Sequence, residues 1–498
     1  MQARKLPHLL IFNPDQFRAD ALCHLGNPAS VTPNLDRLAT TDGVSFRNAF
    51  CQNPVCTPSR CSFMTGWYPH VAGHRTMHHM LHTHEPVLLR TLRENGYTVW
   101  WGGKNDLVPG QEGFAAFCDI RHKAEPAARN LHAFDDWRGS RDGDNWYAFH
   151  AGRLDDVGAP GVSADGLPVP AHRQDSDWAH VLAAADFIAQ APDDRPLCLY
   201  LPLEYPHPPY GVEDPWFSAI DRARVPEVLA EPGDWTGKPA ILKGIRGRQR
   251  LQGWTPERFR ELRATYLGMC GRIDFQLGLL VDALKRRGLY ADTAIFVFSD
   301  HGDFTGDYGL VEKTQNTFED CLTRVPFLVK PPSGVPLVPG VRDALVELVD
   351  FPATVEALCG IEPAHTHFGR SLLPLLAGET DRHRDAVFCE GGRIHGERHC
   401  MEHGIEDPDN LYWPRVGLQQ SEGPEHTKAV MVRTATHKYV RRLYESDELY
   451  ELTTDPGELH NRIDDPALAE VLRTLKDRML TFFLETGDVV PHRPDARN

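Results

Sequence analysis

Residues 259–303 read FRELRATYLGMCGRIDFQLGLLVDALKRRGLYADTAIFVFSDHGD, and their pattern decides the fold class. Over 259–287 the side chains Ile273, Leu277, Leu280, Val281 and Leu284 recur at three- and four-residue spacing, which lays one apolar stripe along a helix. Lys285, Arg286 and Arg287 suit the negative C-terminal end of that helix, and Gly288 supplies a left-handed stop. The chain then feeds directly into the run 293–298, short, continuous and apolar, which reads as a buried strand. A helix delivering the chain straight to a buried strand is half of the unit that builds parallel sheets. The strand ends in Ser299-Asp300-His301-Gly302-Asp303, a cluster of polar groups where the chain leaves the sheet.

The same arrangement recurs outward from this stretch. Residues 9–12, 98–101 and 197–203 are also short apolar runs, and each is followed by groups that can do chemistry: Asp15-Gln16, Lys104-Asn105-Asp106 and His207. In an open α/β sheet the binding crevice lies beyond the carboxyl ends of the strands, so these clusters can converge. The expected fold class is therefore α/β, a large domain with a mostly parallel central sheet flanked by helices. Residues 151–173 and 231–243 are rich in Gly, Pro and Asp without periodicity and read as long surface loops. After residues 371–378 the texture changes to shorter segments, 438–443 and 449–452, before a terminal helix near 466–484. The reading places a catalytic domain at 1–380 and a smaller α+β subdomain at 381–498, with a short antiparallel sheet and the terminal helix.

At 498 residues the chain exceeds the usual size of a single core. Apolar residues make up 41% and charged residues 24%, a globular composition. The net charge of −16 argues against a nucleic-acid or anionic-membrane surface, so positive charge for an anionic substrate has to be local. No stretch reaches transmembrane length, and the first ten residues lack the apolar run of a signal peptide, which together predict a cytoplasmic protein. Eleven scattered cysteines read as free thiols.

The sharpest local signal is Cys56-Thr57-Pro58-Ser59-Arg60. Pro58 suits the first turn of a helix and Gly66 its end, which puts Cys56 at a positive helix N-terminus. On its own such a cysteine is a low-pKa nucleophile or a buried apolar residue. The string resembles the Cys-X-Pro-Ser-Arg sequence that type I sulfatases, members of the alkaline phosphatase superfamily, convert to formylglycine. Its continuation Cys61-Ser62-Phe63-Met64-Thr65-Gly66-Trp67-Tyr68-Pro69 resembles the extension of the same motif. The resemblance covers most of the chain in family order. It implies Asp15, Gln16, Asp300 and His301 as metal ligands. Lys104, in Gly96-Tyr97-Thr98…Gly103-Lys104, matches the family lysine, and His207, in Pro206-His207-Pro208-Pro209, matches its histidine. Lys313, twelve residues beyond His301, matches a second lysine, and residues 448–461 look like the family's closing segment.

What the resemblance implies is hydrolysis of sulfate esters, with an arylsulfatase-like activity. Cys56, as formylglycine, is the nucleophile on one divalent metal; Arg60, Lys104 and Lys313 supply local positive charge; His207 or Lys313 protonates the leaving alcohol. A formylglycine-generating enzyme is implied as a maturation partner and a small anionic ester as substrate, with no nucleic acid or membrane; homo-oligomerisation is compatible with the sequence. Two departures matter. Gln16 and His301 stand where most sulfatases carry Asp and Asn, and an imidazole among the ligands favours manganese over calcium. This set resembles the phosphonate monoester hydrolases, so hydrolysis of phosphonate monoesters or phosphodiesters is the alternative reading. Asp106 stands where the family has a histidine, so one anion contact is either missing or supplied by another group such as Asn105.

Competing structural readings apply to several of these residues. Ser299-Asp300-His301-Gly302 alone can be a helix cap, and Lys104 and Lys313 can be surface lysines. The run His70, His74, His78, His82 has the spacing of a zinc stripe if helical, and with Cys51, Cys56 and Cys61 it would make a zinc-binding module. Pro69 and Gly73 weaken a continuous helix there, which favours histidines at the rim of a pocket or on the surface.

Overall fold

A computed structural model describes residues 6–125, 150–163, 166–408, 410–492 and 494–497. Residues 1–5 of the N-terminal segment, and 164 and 165 of the first loop read from the sequence, lie outside the described residues. Among the described residues the central sheet has nine strands. They are β1 (His8–Pro14), β2 (Val44–Phe50), β3 (Thr98–Gly102), β4 (Ile120–His122), β5 (Leu197–Leu203), β6 (Thr293–Phe298), β7 (Arg324–Val325), β8 (Phe327–Lys330) and β9 (Gly340–Glu347). Strands β6, β1, β5, β3 and β4 lie side by side in that order, all parallel. β7 and β8 run antiparallel to β2, with β8 bridging β2 to β6, and β9 runs parallel to β2.

Strand alternation splits the interior into two cores. Leu10 and Phe12 of β1, Leu199 and Leu201 of β5, and Ile295 and Val297 of β6 face one side. Leu9 and Ile11, Cys198 and Tyr200, and Phe296 and Phe298 face the other. Because both faces are covered, these strands are apolar throughout rather than alternating. The first core is closed by helices at Ser176–Gln190 and Pro256–Arg286, through residues such as Trp178, Val181, Ile273, Leu277 and Leu284. The second is closed by helices at Cys56–Thr65 and Asp350–Cys359, through Phe63, Met64, Phe351 and Val355. Truncating a side chain wedged between layers, such as Ile11, costs about 2–5 kcal/mol at sites of this kind.

A second, four-stranded antiparallel sheet comprises β10 (Val387–Gly391), β11 (Ala429–Arg433), β12 (His437–Arg442) and β13 (Glu448–Glu451). The terminal helix, Ala469–Thr486, covers one face with Leu475, Met479 and Phe482, whose ring stacks 3.9 Å from that of Phe388. On the other face Val387, Cys389 and Met431 meet Phe50 and Leu345 of the large sheet.

The helix expected over 259–287 spans Pro256–Arg286, and Gly288 takes a φ of 73° just beyond it. Both loop expectations need correction. Within 151–173, residues His150–Leu154 pair with Tyr210–Glu213 and Gly161–Val162 pair with Pro168–Val169; ribbons this short leave little periodicity to read. The segment 231–243 runs into a helix, Ala240–Arg248, that packs Ile241, Leu242 and Ile245 inward; its Gly244 and Gly247 masked the helical pattern. No helix among the described residues is long and apolar enough to cross a membrane. None of the eleven cysteines forms a disulfide.

Candidate active site

Four adjacent parallel strands, β6, β1, β5 and β3, end on the same edge of the sheet, and the residues that follow them meet there. Asp15, Gln16, Asp300 and His301 are all fully buried. Cys56 opens its helix against them, at the position where the helix dipole is positive. Its Sγ lies 3.2 Å from His301 Nε2 and 3.7 Å from Asp15 Oδ1. Asp15, Cys56, Asp300 and His301 each offer a ligand atom within 4.8 Å of the others.

The residues after Cys56 fix this helix to the strand ends. The Ser59 hydroxyl donates to the Asp300 carbonyl at 2.6 Å. Arg60 spreads its guanidinium over both carboxylates: Nη2 lies 2.9 Å from Asp15 Oδ2 and 2.8 Å from Asp300 Oδ2, and Nη1 donates to Asn13 Oδ1 at 3.1 Å. A planar fork with five donors suits this task as a lysine would not. With neither ion exposed, the attraction has to offset a large desolvation cost. Burial pushes the Asp15 carboxyl up, but Lys104 and Arg60 hold it well below its ordinary value.

Lys104 reaches the cluster from the end of β3. Gly103 makes this reach by sitting at φ 127°, where a Cβ would stand 2.1 Å from the Pro202 carbonyl oxygen. The Lys104 amide donates to that same oxygen at 2.7 Å. Lys104 Nζ then lies 2.7 Å from Asp15 Oδ2, 2.9 Å from Asp106 Oδ2 and 3.6 Å from Cys56 Sγ. Asp106 thus pairs with the lysine. Asn105 bonds both amide atoms back to Val108 of its own loop, so the expectation that it supplies the missing anion contact is corrected.

Gln16 has a φ of 67°, uncommon for a residue with a side chain and worth about 1–3 kcal/mol of strain. Its backbone is pinned from both sides: the amide donates to Asp300 Oδ1 at 3.1 Å and the carbonyl accepts from the Tyr266 hydroxyl at 2.7 Å. The side-chain amide nitrogen donates to Asp303, and Oε1 accepts from Lys313 Nζ at 2.6 Å. Burial lifts the Asp303 carboxyl to about 7, with Glu312 adding to the rise, although the Tyr210 hydroxyl donates to both of its oxygens.

The donors fit a divalent ion. His301 Nδ1 lies 2.9 Å from the Gly302 carbonyl, which fixes the tautomer and leaves the Nε2 lone pair facing the carboxylates. Burial also lowers the basicity of the ring. His301 Nε2 is 3.6 Å from Asp15 Oδ1 and 3.9 Å from Asp300 Oδ1, separations that a central ion would bridge. Burial pushes the Cys56 thiol far up, with Asp15 adding to the effect against Lys104 and Lys313.

His207, 3% exposed, holds Nδ1 2.6 Å from the Pro208 carbonyl, and its Nε2 lies 3.2 Å from the Tyr412 hydroxyl. Lys313 Nζ sits 5.7 Å from the centre of the Tyr412 ring. Tyr412 was not legible as a site residue. It comes from the excursion between β10 and β11 and carries no motif. Asp303, by contrast, stands in the polar cluster after β6.

The histidine run does not assemble. His70 Nδ1 pairs with Glu390 at 2.7 Å, His74 Nε2 with Glu85 at 2.8 Å and His82 Nδ1 with Glu112 at 2.5 Å. The helix there ends at Ala72 with Gly73 as its cap, so the spacing never becomes a stripe and the alternative of a zinc-binding module is not met. Among the described residues, Cys51 and Cys61 belong to no cluster that could hold a metal.

A family model described as Sulfatase matches residues 7–361. The multifunctional alkaline phosphatase superfamily protein PehA of Trinickia caryophylli is 26% identical, over 97% of this chain and 96% of its own length. An arylsulfatase of Clostridium perfringens is 25% identical, over 94% of this chain and 93% of its own. Among solved structures, the phosphonate monoester hydrolase SpPMH of Silicibacter pomeroyi superposes with a TM-score of 0.73 at 25% identity, covering 98% of this chain and all of that one. The phosphonate monoester hydrolase of Agrobacterium radiobacter shares the fold with a TM-score of 0.72 at 21% identity, with 98% and 100% covered. On the strength of a match across more than half its length, over the strands and the cluster just described, the chain belongs to the sulfatase family of hydrolases.

Proposed function

We propose that the chain hydrolyses sulfate monoesters, with Cys56 matured to formylglycine as the nucleophile and a divalent ion held by Asp15, Gln16, Asp300 and His301. One observation carries the reading: two cationic side chains, Lys104 at 3.6 Å from Sγ and Lys313, act on a buried Cys56 in a chain of net charge −16. Cationic donors gathered beside the nucleophile, each held by an acidic neighbour, suit an anion with three equivalent oxygens.

The roles divide by position. Arg60 bridges the Asp15 and Asp300 carboxylates and keeps them aligned. Lys104 and Lys313, both acting on Cys56, are donors for the nonbridging oxygens of the ester. His207, held by Pro208 and Tyr412, carries the proton given to the leaving alcohol. When bound, the ion adds positive charge against the ester. As a hydrated aldehyde, Cys56 offers one hydroxyl for attack and a second for release of the product. In this proposal residues 1–380 form the catalytic domain, and the 381–498 subdomain completes the site by supplying Tyr412.

A second reading, a phosphonate monoester or phosphodiester hydrolase, draws support from Gln16 and His301 and from the likeness to SpPMH. Lys104 weighs against it, since a donor there faces the position an alkyl or aryl substituent would occupy.

The test of the nucleophile is peptide mass analysis of protein co-produced with the modifying enzyme, which should show an aldehyde at Cys56. Cys56→Ala should abolish turnover and leave the fold intact, while Cys61→Ala should retain substantial activity. Full activity with only a thiol at Cys56 would refute the assignment.

A further inference from the structure

A second set of metal donors lies outside the active site, at the base of the excursion between β10 and β11. His395 Nδ1 is 3.1 Å from Glu422 Oε2, and His426 Nε2 is 3.6 Å from the same oxygen. All three ligand atoms lie within 4.8 Å of one another. Spacings between about 3 and 4 Å are what donors at 2.0–2.2 Å from a common ion require, so modest side-chain movement closes the set.

His426 carries the argument. Its residue is 1% exposed, the Gly423 backbone contacts its ring, and Nε2 stops 3.6 Å from Glu422 Oε2, beyond hydrogen-bond length. Buried imidazole nitrogens ordinarily sit at hydrogen-bond distance from a partner, and an ion between Nε2 and the carboxylate accounts for a separation longer than that. The other donors are held for the purpose. The His395 ring stacks on Tyr444 at 3.6 Å, and its backbone amide donates to the Tyr444 hydroxyl at 2.9 Å. Arg393 Nη1 lies 3.3 Å from Glu422 Oε1 and 3.5 Å from Oε2, and the Gly396 amide donates to Oε2 at 3.3 Å, so the carboxylate is oriented by outer partners.

We infer that His395, Glu422 and His426 form a second, structural site for a divalent ion of zinc-like preference, with water completing the coordination. Two imidazoles and a carboxylate suit zinc better than calcium or magnesium. The site joins residues just after β10 to residues just before β11. It therefore ties together the two ends of the excursion that delivers Tyr412 to His207, and bound metal stiffens that excursion.

The test compares zinc content, after chelation and reloading with zinc chloride, of the full chain and of His395→Ala. That histidine is about half exposed, so its replacement costs little beyond the Tyr444 stacking, and circular dichroism checks the fold. The variant should hold one ion fewer per chain, whatever the active-site cluster holds, and its remaining affinity at this site should drop at least about tenfold. Asp15→Asn should remove a different ion and leave this one. With cobalt in place of zinc, wild type should show visible absorption from a nitrogen-bound ion that His395→Ala lacks. Equal metal content and identical cobalt spectra in wild type and His395→Ala would overturn the inference and leave an ordinary ion-paired cluster.

Discussion

Lys104→Ala separates the two hydrolytic readings of the site most sharply. The ammonium sits between Asp15 and Asp106 and 3.6 Å from Cys56 Sγ, with its side chain only 13% exposed. A charged hydrogen bond to a desolvated anion is worth about 1.5–3 kcal/mol. At about 1.36 kcal/mol per factor of ten, its loss should lower kcat/KM for an aryl sulfate by about 10- to 150-fold. The variant should still fold, because Asp15 keeps Arg60 at 2.9 Å as a second cationic partner. An aryl phosphonate has a carbon substituent in place of one oxygen, so the same substitution should cost it less. The assay is release of 4-nitrophenol from matched sulfate and phosphonate esters by fully modified protein, with a thermal melt to confirm folding. Equal losses for both esters, or no loss for the sulfate, would refute the placement of Lys104 against a nonbridging oxygen.

Two further outcomes follow from the same geometry. The bound metal should be manganese or a similar divalent ion rather than calcium, and His301→Asn should move the preference toward calcium; calcium at full occupancy in gently purified, active wild type would contradict the ligand argument. Tyr412→Phe removes the hydroxyl 3.2 Å from His207 Nε2, and losing a neutral hydrogen bond of about 0.5–1.5 kcal/mol should lower kcat about two- to tenfold with KM little changed. It should also shift the limb of the pH profile that reports the acid; an unchanged kcat and profile would remove Tyr412 from the site.

The fold was legible where burial is two-sided. The runs that became β1, β3, β5 and β6 are continuous and apolar because helices cover both faces, and the stripe from Ile273 to Leu284 is long enough to announce a helix. β2 was not read: VSFRNAF interrupts its apolar run with Arg47 and Asn48, which are only partly buried. The site divided along the same line. Residues directly after strands, and the Cys56 motif at a helix start, announce themselves by position. Tyr412 reaches His207 across 205 residues of sequence, and the His395, Glu422 and His426 cluster forms only when the ends of one excursion meet. Neither contact leaves a local pattern.

The most direct test of the sulfate-ester reading is the ratio of kcat/KM for an aryl sulfate to that for the matching aryl phosphonate, measured on wild type with Cys56 fully converted and the metal site saturated. With Lys104 facing a nonbridging oxygen the ratio should exceed one. A ratio below one would contradict the sulfate reading and make the phosphonate or phosphodiester hydrolase the better account of the site.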